Sequence, residues 1–106
     1  IKKTFEVGCV KHSRFNGRLI QTVALCGGAG AFLLPKAVSQ QADIFITGEV
    51  KYHDYFNYEH SILIAEIGHY ESEQYTKEIF YSIIKDKFPS LEIQQTRINT
   101  NPIKYL

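Results

Sequence analysis

Methionine is absent from the 106 residues, cysteine occurs twice, and no long apolar run is present. Each absence removes a class of protein. The chain starts at Ile1 with no Met to initiate it, so it is expected to be a segment of a longer polypeptide or the product of processing. Cys9 and Cys26 form no CxxC pair and are too few for a disulfide framework or a zinc ribbon, which fits a reducing compartment. No stretch approaches the roughly 20 apolar residues that cross a bilayer, and the first residues lack the charged, apolar and small-residue order of a secretion signal. A cytoplasmic protein with no membrane partner is expected. Twelve Lys and Arg against eleven Asp and Glu leave a net charge of +1. The basic residues are scattered rather than massed on one face, so no nucleic-acid partner is expected.

What remains is an ordinary globular composition, 44% hydrophobic and 22% charged, with apolar mass for one core. Residues 4–10 and 17–26 read as extended. The second stretch ends in Thr22-Val23-Ala24-Leu25-Cys26, a run of the kind buried on both faces of a sheet, and stops at Gly27-Gly28-Ala29-Gly30. Residues 31–40 read as helix with Phe32, Leu33 and Val38 inward; Pro35 fits only in a first turn, so the helix starts near Gly30. Residues 43–47 form a second buried strand, 51–58 a short helix and 61–67 a third strand. Over residues 70–88, Tyr75, Ile79, Ile83 and Ile84 recur at helical spacing, and Pro89 ends the helix. Residues 91–98 resemble a last strand before an Asn-Thr-Asn-Pro turn.

Strands alternating with helices predict an α/β fold, a three-layer α/β/α sandwich around a mixed, largely parallel sheet. Function in such sheets gathers at the carboxyl ends of the strands. Three segments occupy that kind of position: residues 27–30, 48–54 and 68–73.

Gly68-His69-Tyr70-Glu71-Ser72-Glu73 opens a helix after a buried strand. Residues four apart share a helical face, so His69 and Glu73 can point at one cation. An imidazole and a carboxylate together suit zinc, manganese, iron or a similar divalent ion, but two ligands are too few for a complete site. The bland alternative is that His69 caps the strand end while Glu71 and Glu73 complement the helix dipole. Gly48-Glu49-Val50-Lys51-Tyr52-His53-Asp54 offers His53 as a general acid or base and Lys51 as a holder of phosphate. Its alternative is a solvated helix start with Asp54 or Glu49 as cap partners. The glycine segment lacks both the P-loop Lys-Ser/Thr and the dinucleotide spacing, and reads as a tight turn packed beside the metal site. Cys26 reads as a small core residue, and His12 and His60 as surface histidines.

Taken in order, residues 23–30, 42–54 and 67–73 resemble the carboxyl-terminal half of the Nif-three-like family. These are NGG-interacting-factor homologues that also carry the name GTP cyclohydrolase 1 type 2 homologue. The resemblance runs from about Gln21 to the Asn-Pro of the tail. It implies a protein of two α/β halves with a dinuclear divalent-metal centre between them, assembled as a homo-oligomer, typically a hexameric ring. It carries His69 and Glu73 over as metal ligands and assigns the rest, an adjacent His pair and an Asp, to the amino-terminal half. No His pair exists in this chain. It also implies that residues 1–18 are a linker out of an inserted domain, that the chain is one carboxyl-terminal domain, and that alone it binds metal weakly. Two functions follow as expectations: a metal-dependent hydrolase acting on a nucleotide or phosphate-bearing substrate, or a non-catalytic, metal-stabilised binding or regulatory protein that acts through protein interactions.

Overall fold

The computed structural model describes residues 1–106, and it divides into two compact units, Ile1–Glu73 and Gln74–Leu106. The first unit holds all four strands. Helix α1 (Lys2–Phe5) ends where Glu6 takes a left-handed conformation at φ 55°, and β1 (Lys11–His12) follows. Then come β2 (Val23–Cys26), a 3₁₀ turn over Gly30–Leu33, α2 (Leu34–Ser39), β3 (Ile44–Thr47), α3 (Tyr52–Tyr58), β4 (Leu63–Glu66) and α4 (His69–Glu73). The strand order is β1-β4-β3-β2, with β2, β3 and β4 parallel and β1 antiparallel at one edge. The α/β class with a mixed, largely parallel sheet is the one the sequence predicts.

Every residue of β3 is buried, as a central parallel strand requires. Its side chains alternate between two clusters. On one face Phe45 and Ile64 pack with Leu34 and Ala37 of α2, with Tyr55 and Tyr58 of α3 against them. On the other, Ile44, Ile46, Ala65 and Ile67 close around Val7, with Phe5 and Val10 beside them. Residues 1–12, which the resemblance leaves as a linker, here contribute a helical turn, one core side chain and a strand.

Several expectations are corrected. Residues 4–10 are not extended, because the left-handed step at Glu6 turns the chain out of α1 so that Val7 reaches the core. Of residues 17–26 only Val23–Cys26 is strand, and it is an edge strand with Val23 55% and Leu25 60% exposed rather than covered on both faces. Apolar content signals a strand but not its place in the order. The helix does begin at Gly30 with Pro35 in the first α-turn, yet the tighter 3₁₀ start shifts its phase. Leu34 and Ala37 turn inward, while Phe32 is left 76% exposed.

The Gln74–Leu106 unit contains α5 (Thr76–Lys87). The single helix expected over 70–88 is thus two, separated by the non-helical step at Gln74 and Tyr75. Apolar spacing alone carries no sign of that step. Beyond α5, the Lys85 ammonium donates to the carbonyls of Pro89 (2.7 Å) and Leu91 (3.1 Å). The strand expected over 91–98 is absent; its backbone has no neighbouring strand to pair with and stays largely exposed to solvent. At the Asn-Pro tail, Asn99 and Asn101 side chains accept from the N–H groups two residues on, as Asx turns do. No helix is long and apolar enough to cross a membrane.

Two contacts set the register of the parallel strands. At the entry to β3, the Asp43 carboxylate accepts the N–H groups of Gln21 and Thr22 at 2.8 Å each, fixing the approach to β2. At the exit, Gly48 comes so close to its surroundings that an added Cβ would lie 2.6 Å from Ser72 Oγ, 2.7 Å from Gly28 O and 2.9 Å from His69 Cα.

Two outcomes are expected. The Thr22 and Gln21 N–H bonds, with Arg18 nearby, hold the Asp43 carboxyl below its ordinary 3.8. Because the folded value is the lower one, the contribution is complete above 3.8 and is lost as pH falls through the folded value. Thermal unfolding of Asp43→Asn should therefore show a flatter acid limb than the parent, and identical limbs would contradict this. For Gly48→Ala, two of the three close neighbours are backbone atoms and cannot yield, so a loss of about 1–3 kcal/mol is expected. It should appear as a lower urea midpoint at unchanged slope.

Candidate functional site

The carboxyl ends of β2 and β3 are tied together through one peptide oxygen. Gly28 O accepts the N–H groups of Gly48 and Glu49 at 3.0 Å each and the Thr47 hydroxyl at 3.2 Å. Thr47 Oγ1 in turn accepts the Gly30 N–H at 3.1 Å. Gly28 sits at φ +62°, in the left-handed region where glycine carries no Cβ penalty. Its own N–H donates to Ser72 Oγ at 2.8 Å, and that hydroxyl donates to His69 O at 2.8 Å. The three segments singled out in the sequence thus meet on one rim.

On this rim α4 presents His69 and Glu73 side by side, with His69 Nε2 3.3 Å from Glu73 Oε2. The other ring nitrogen, Nδ1, lies 3.0 Å from Glu49 Oε1 on the loop after β3. A Cβ on Gly28 would collide with the Glu73 carboxylate and lie 3.4 Å from His69 Nε2, so the missing side chain leaves room for this pair. Both side chains are partly open, His69 at 43% and Glu73 at 51%.

The spacing of the pair fits a shared cation. Two ligands about 2.1 Å from one ion at tetrahedral to right angles stand roughly 3.0–3.4 Å apart. The observed 3.3 Å falls within that span, and the donors, one imidazole and one carboxylate, suit zinc, iron or manganese. No three His, Cys, Asp or Glu side chains of this chain converge to hold an ion. Glu49 faces the opposite ring nitrogen, so two donors are what this rim offers.

A cleft of about 640 Å³ opens beside Glu49, and Ala29, Phe32, Pro35, Val50, Lys51 and Tyr58 are among the residues that line it. Lys51 therefore reaches the cleft, and it is also the residue that precedes α3. His53 is exposed on α3 with its ring edge-on to Tyr52, and does not line the cleft. Glu66, at the end of β4, is buried at the cleft's edge, paired with Lys11 and accepting the Tyr55 hydroxyl at 2.9 Å. Burial, then the hydrogen bond and charge of Glu66, push the Tyr55 phenol well up, so Tyr55 remains a donor.

Sequence reading missed the Glu66, Tyr55 and Lys11 group, because Lys11 joins it only through the antiparallel pairing of β1 with β4. It also missed Ser72 and Thr47 as the ties of the rim. Their signal was their position: a hydroxyl residue directly before Gly48, and another three residues after His69. Cys26 is half-buried against the core, and His12 and His60 are exposed, as expected.

Known proteins are similar to this chain in sequence and in fold. A Staphylococcus aureus protein named GTP cyclohydrolase 1 type 2 homolog is 30% identical over 111 residues, taking in 100% of this chain and 30% of its own length. A Lactococcus lactis protein of the same name is 30% identical over 96% of the chain and 41% of its own length. The chain therefore spans well under half the length of these relatives. A solved Staphylococcus aureus structure superposes with a TM-score of 0.81 at 26% identity, over 99% of the chain and 36% of the solved protein. A Bacillus cereus protein related to NIF3 shares the fold, with a TM-score of 0.78 at 20% identity over 99% of the chain and 30% of the solved protein. The family described as Duf34/NIF3 (NGG1p interacting factor 3) matches residues 1–102, and the chain belongs to it.

Proposed function

We propose that this chain supplies His69 and Glu73 as two ligands of a dinuclear divalent-metal centre in a hydrolase acting on a nucleotide or other phosphate-bearing substrate. The remaining ligands come from the amino-terminal half of the protein, and assembly is as a homo-oligomer, a hexamer in the reading the resemblance gives. The observation that carries this is the 3.3 Å spacing of His69 Nε2 and Glu73 Oε2 on a rim cleared by Gly28.

A divalent ion held there would supply Lewis acidity and activate water. The rest falls to the chain's own residues. Lys51, at the cleft, attracts and orients a phosphate as a compact positive charge. The apolar wall of Ala29, Phe32 and Pro35 excludes water from the substrate's less polar portion. His53, exposed on α3 and outside the cleft's lining, would exchange protons with a substrate that extends past the cleft. The relatives' name, GTP cyclohydrolase 1 type 2 homolog, supports a nucleotide substrate.

A second reading, a non-catalytic binding or regulatory protein whose metal stabilises the assembly, is supported by the family's description as an interacting factor. The exposed Val23 and Leu25 of edge strand β2 favour it too, since uncovered apolar edges seek partners.

In the full-length protein, His69→Ala and Glu73→Ala should each lower bound metal, measured by elemental analysis after dialysis; undiminished metal would remove the site. Lys51→Ala should keep its metal and raise the KM for a phosphate-bearing substrate in a hydrolase panel. His53→Ala should keep its metal and lose turnover. A fully metallated parent without turnover on any substrate would support the binding reading.

A further inference from the structure

The contact behind the His69 ring assigns a task to a residue outside the ligand pair. Gly48 and Glu49 both donate their N–H groups to Gly28 O, so the Glu49 backbone is held from the β2 end of the rim. Gly48 has no side chain, and the start of α4 rests against it, close enough that a Cβ there would lie 2.9 Å from His69 Cα. These two constraints bring the Glu49 carboxylate to 3.0 Å from His69 Nδ1.

We infer that Glu49 is a positioning residue that fixes the ring orientation and tautomer of His69, so that Nε2 presents its lone pair to a cation shared with Glu73. The inference rests on the metal-binding reading above. A neutral imidazole carries one N–H, and the nitrogen that keeps it cannot bind a metal. Glu49 accepts hydrogen bonds and, when ionised, donates none, so with a cation at Nε2 the one proton of the neutral ring is held on Nδ1 facing it. Nε2 is then the free donor, 3.3 Å from the carboxylate with which it would share a cation. A carboxylate on the far nitrogen of a metal-binding histidine is a recurring arrangement that also raises the ring's basicity as a ligand. Turned over, the ring would point carbons at both carboxylates, Cδ2 at Glu49 and Cε1 at Glu73. Glu49 also lines the cleft, which makes this one side chain the link between the ligand pair and the substrate space.

The test uses Glu49→Ala and Glu49→Gln in the full-length protein, with His69→Ala as the reference for a lost ligand. In the zinc-bound state, nitrogen-15 NMR of the His69 ring, assigned by its loss in His69→Ala, should show a protonated Nδ1 and an unprotonated Nε2 in the parent. The Gln variant, which still offers an oxygen acceptor, should keep it, and the Ala variant should give a mixture. Zinc affinity, measured by competition with a chromophoric chelator, should weaken by about 10–100-fold in Glu49→Ala. The weakening should be smaller in Glu49→Gln. An Ala variant with the parent's tautomer and zinc affinity, while His69→Ala loses zinc, would overturn the role of Glu49 and leave the metal site standing. Parent-like zinc affinity in His69→Ala would instead overturn the metal site itself, and this inference with it.

Discussion

One carbonyl, Gly28 O, receives three donors from the end of β3 and the residues after it, and the geometry of the rim depends on that convergence. A backbone oxygen offers two lone pairs, so three donors crowd it and leave little freedom for any of them. The arrangement needs a left-handed residue at position 28, a hydroxyl at 47 and no side chain at 48, and the sequence meets all three demands. Ser72 extends the same network into α4, since its hydroxyl takes the Gly28 N–H and returns its own proton to His69 O. The His69 and Glu73 side chains therefore stand on a short segment, but that segment is braced by a hydrogen bond that spans 44 positions of sequence.

This bracing explains how a helix of five residues can present two side chains in a defined relation. An isolated helix so short would not persist in water, because nucleation is unfavourable and propagation has no length over which to compensate. Here tertiary contacts do the holding. Gly68, at φ 99°, turns the chain sharply out of β4, and the first turn of α4 then lies on Gly48.

The central strands, the parallel order implied by alternating elements and the meeting of three motifs on one rim were legible because each leaves a local mark: an apolar run, a glycine break, a four-residue spacing. The His69 and Glu73 spacing was likewise readable, and the structure brings those side chains together. Edge placement left no such mark, so the exposure of Val23 and Leu25 was invisible in a run that reads like a buried strand. The same applies to the Glu66 group, which depends on antiparallel pairing across a long separation, and to Glu49, whose partner lies 20 positions away. The 3₁₀ start that turned Phe32 outward is a change of helical phase, which apolar periodicity averages away. Residues 91–98 mark the opposite failure, where strand-forming residues find no strand to join.

The rim draws on positions 28, 47–49 and 69–73, and a parallel sheet cannot close until each crossover connection has been completed. During synthesis, a chain that has emerged only as far as β3 has no α4 against which Gly48 and Gly28 can settle. Whatever occupies this rim must therefore wait for the last strand and the turn after it, and so serves as a reporter of a finished sheet rather than a template on which the sheet is assembled.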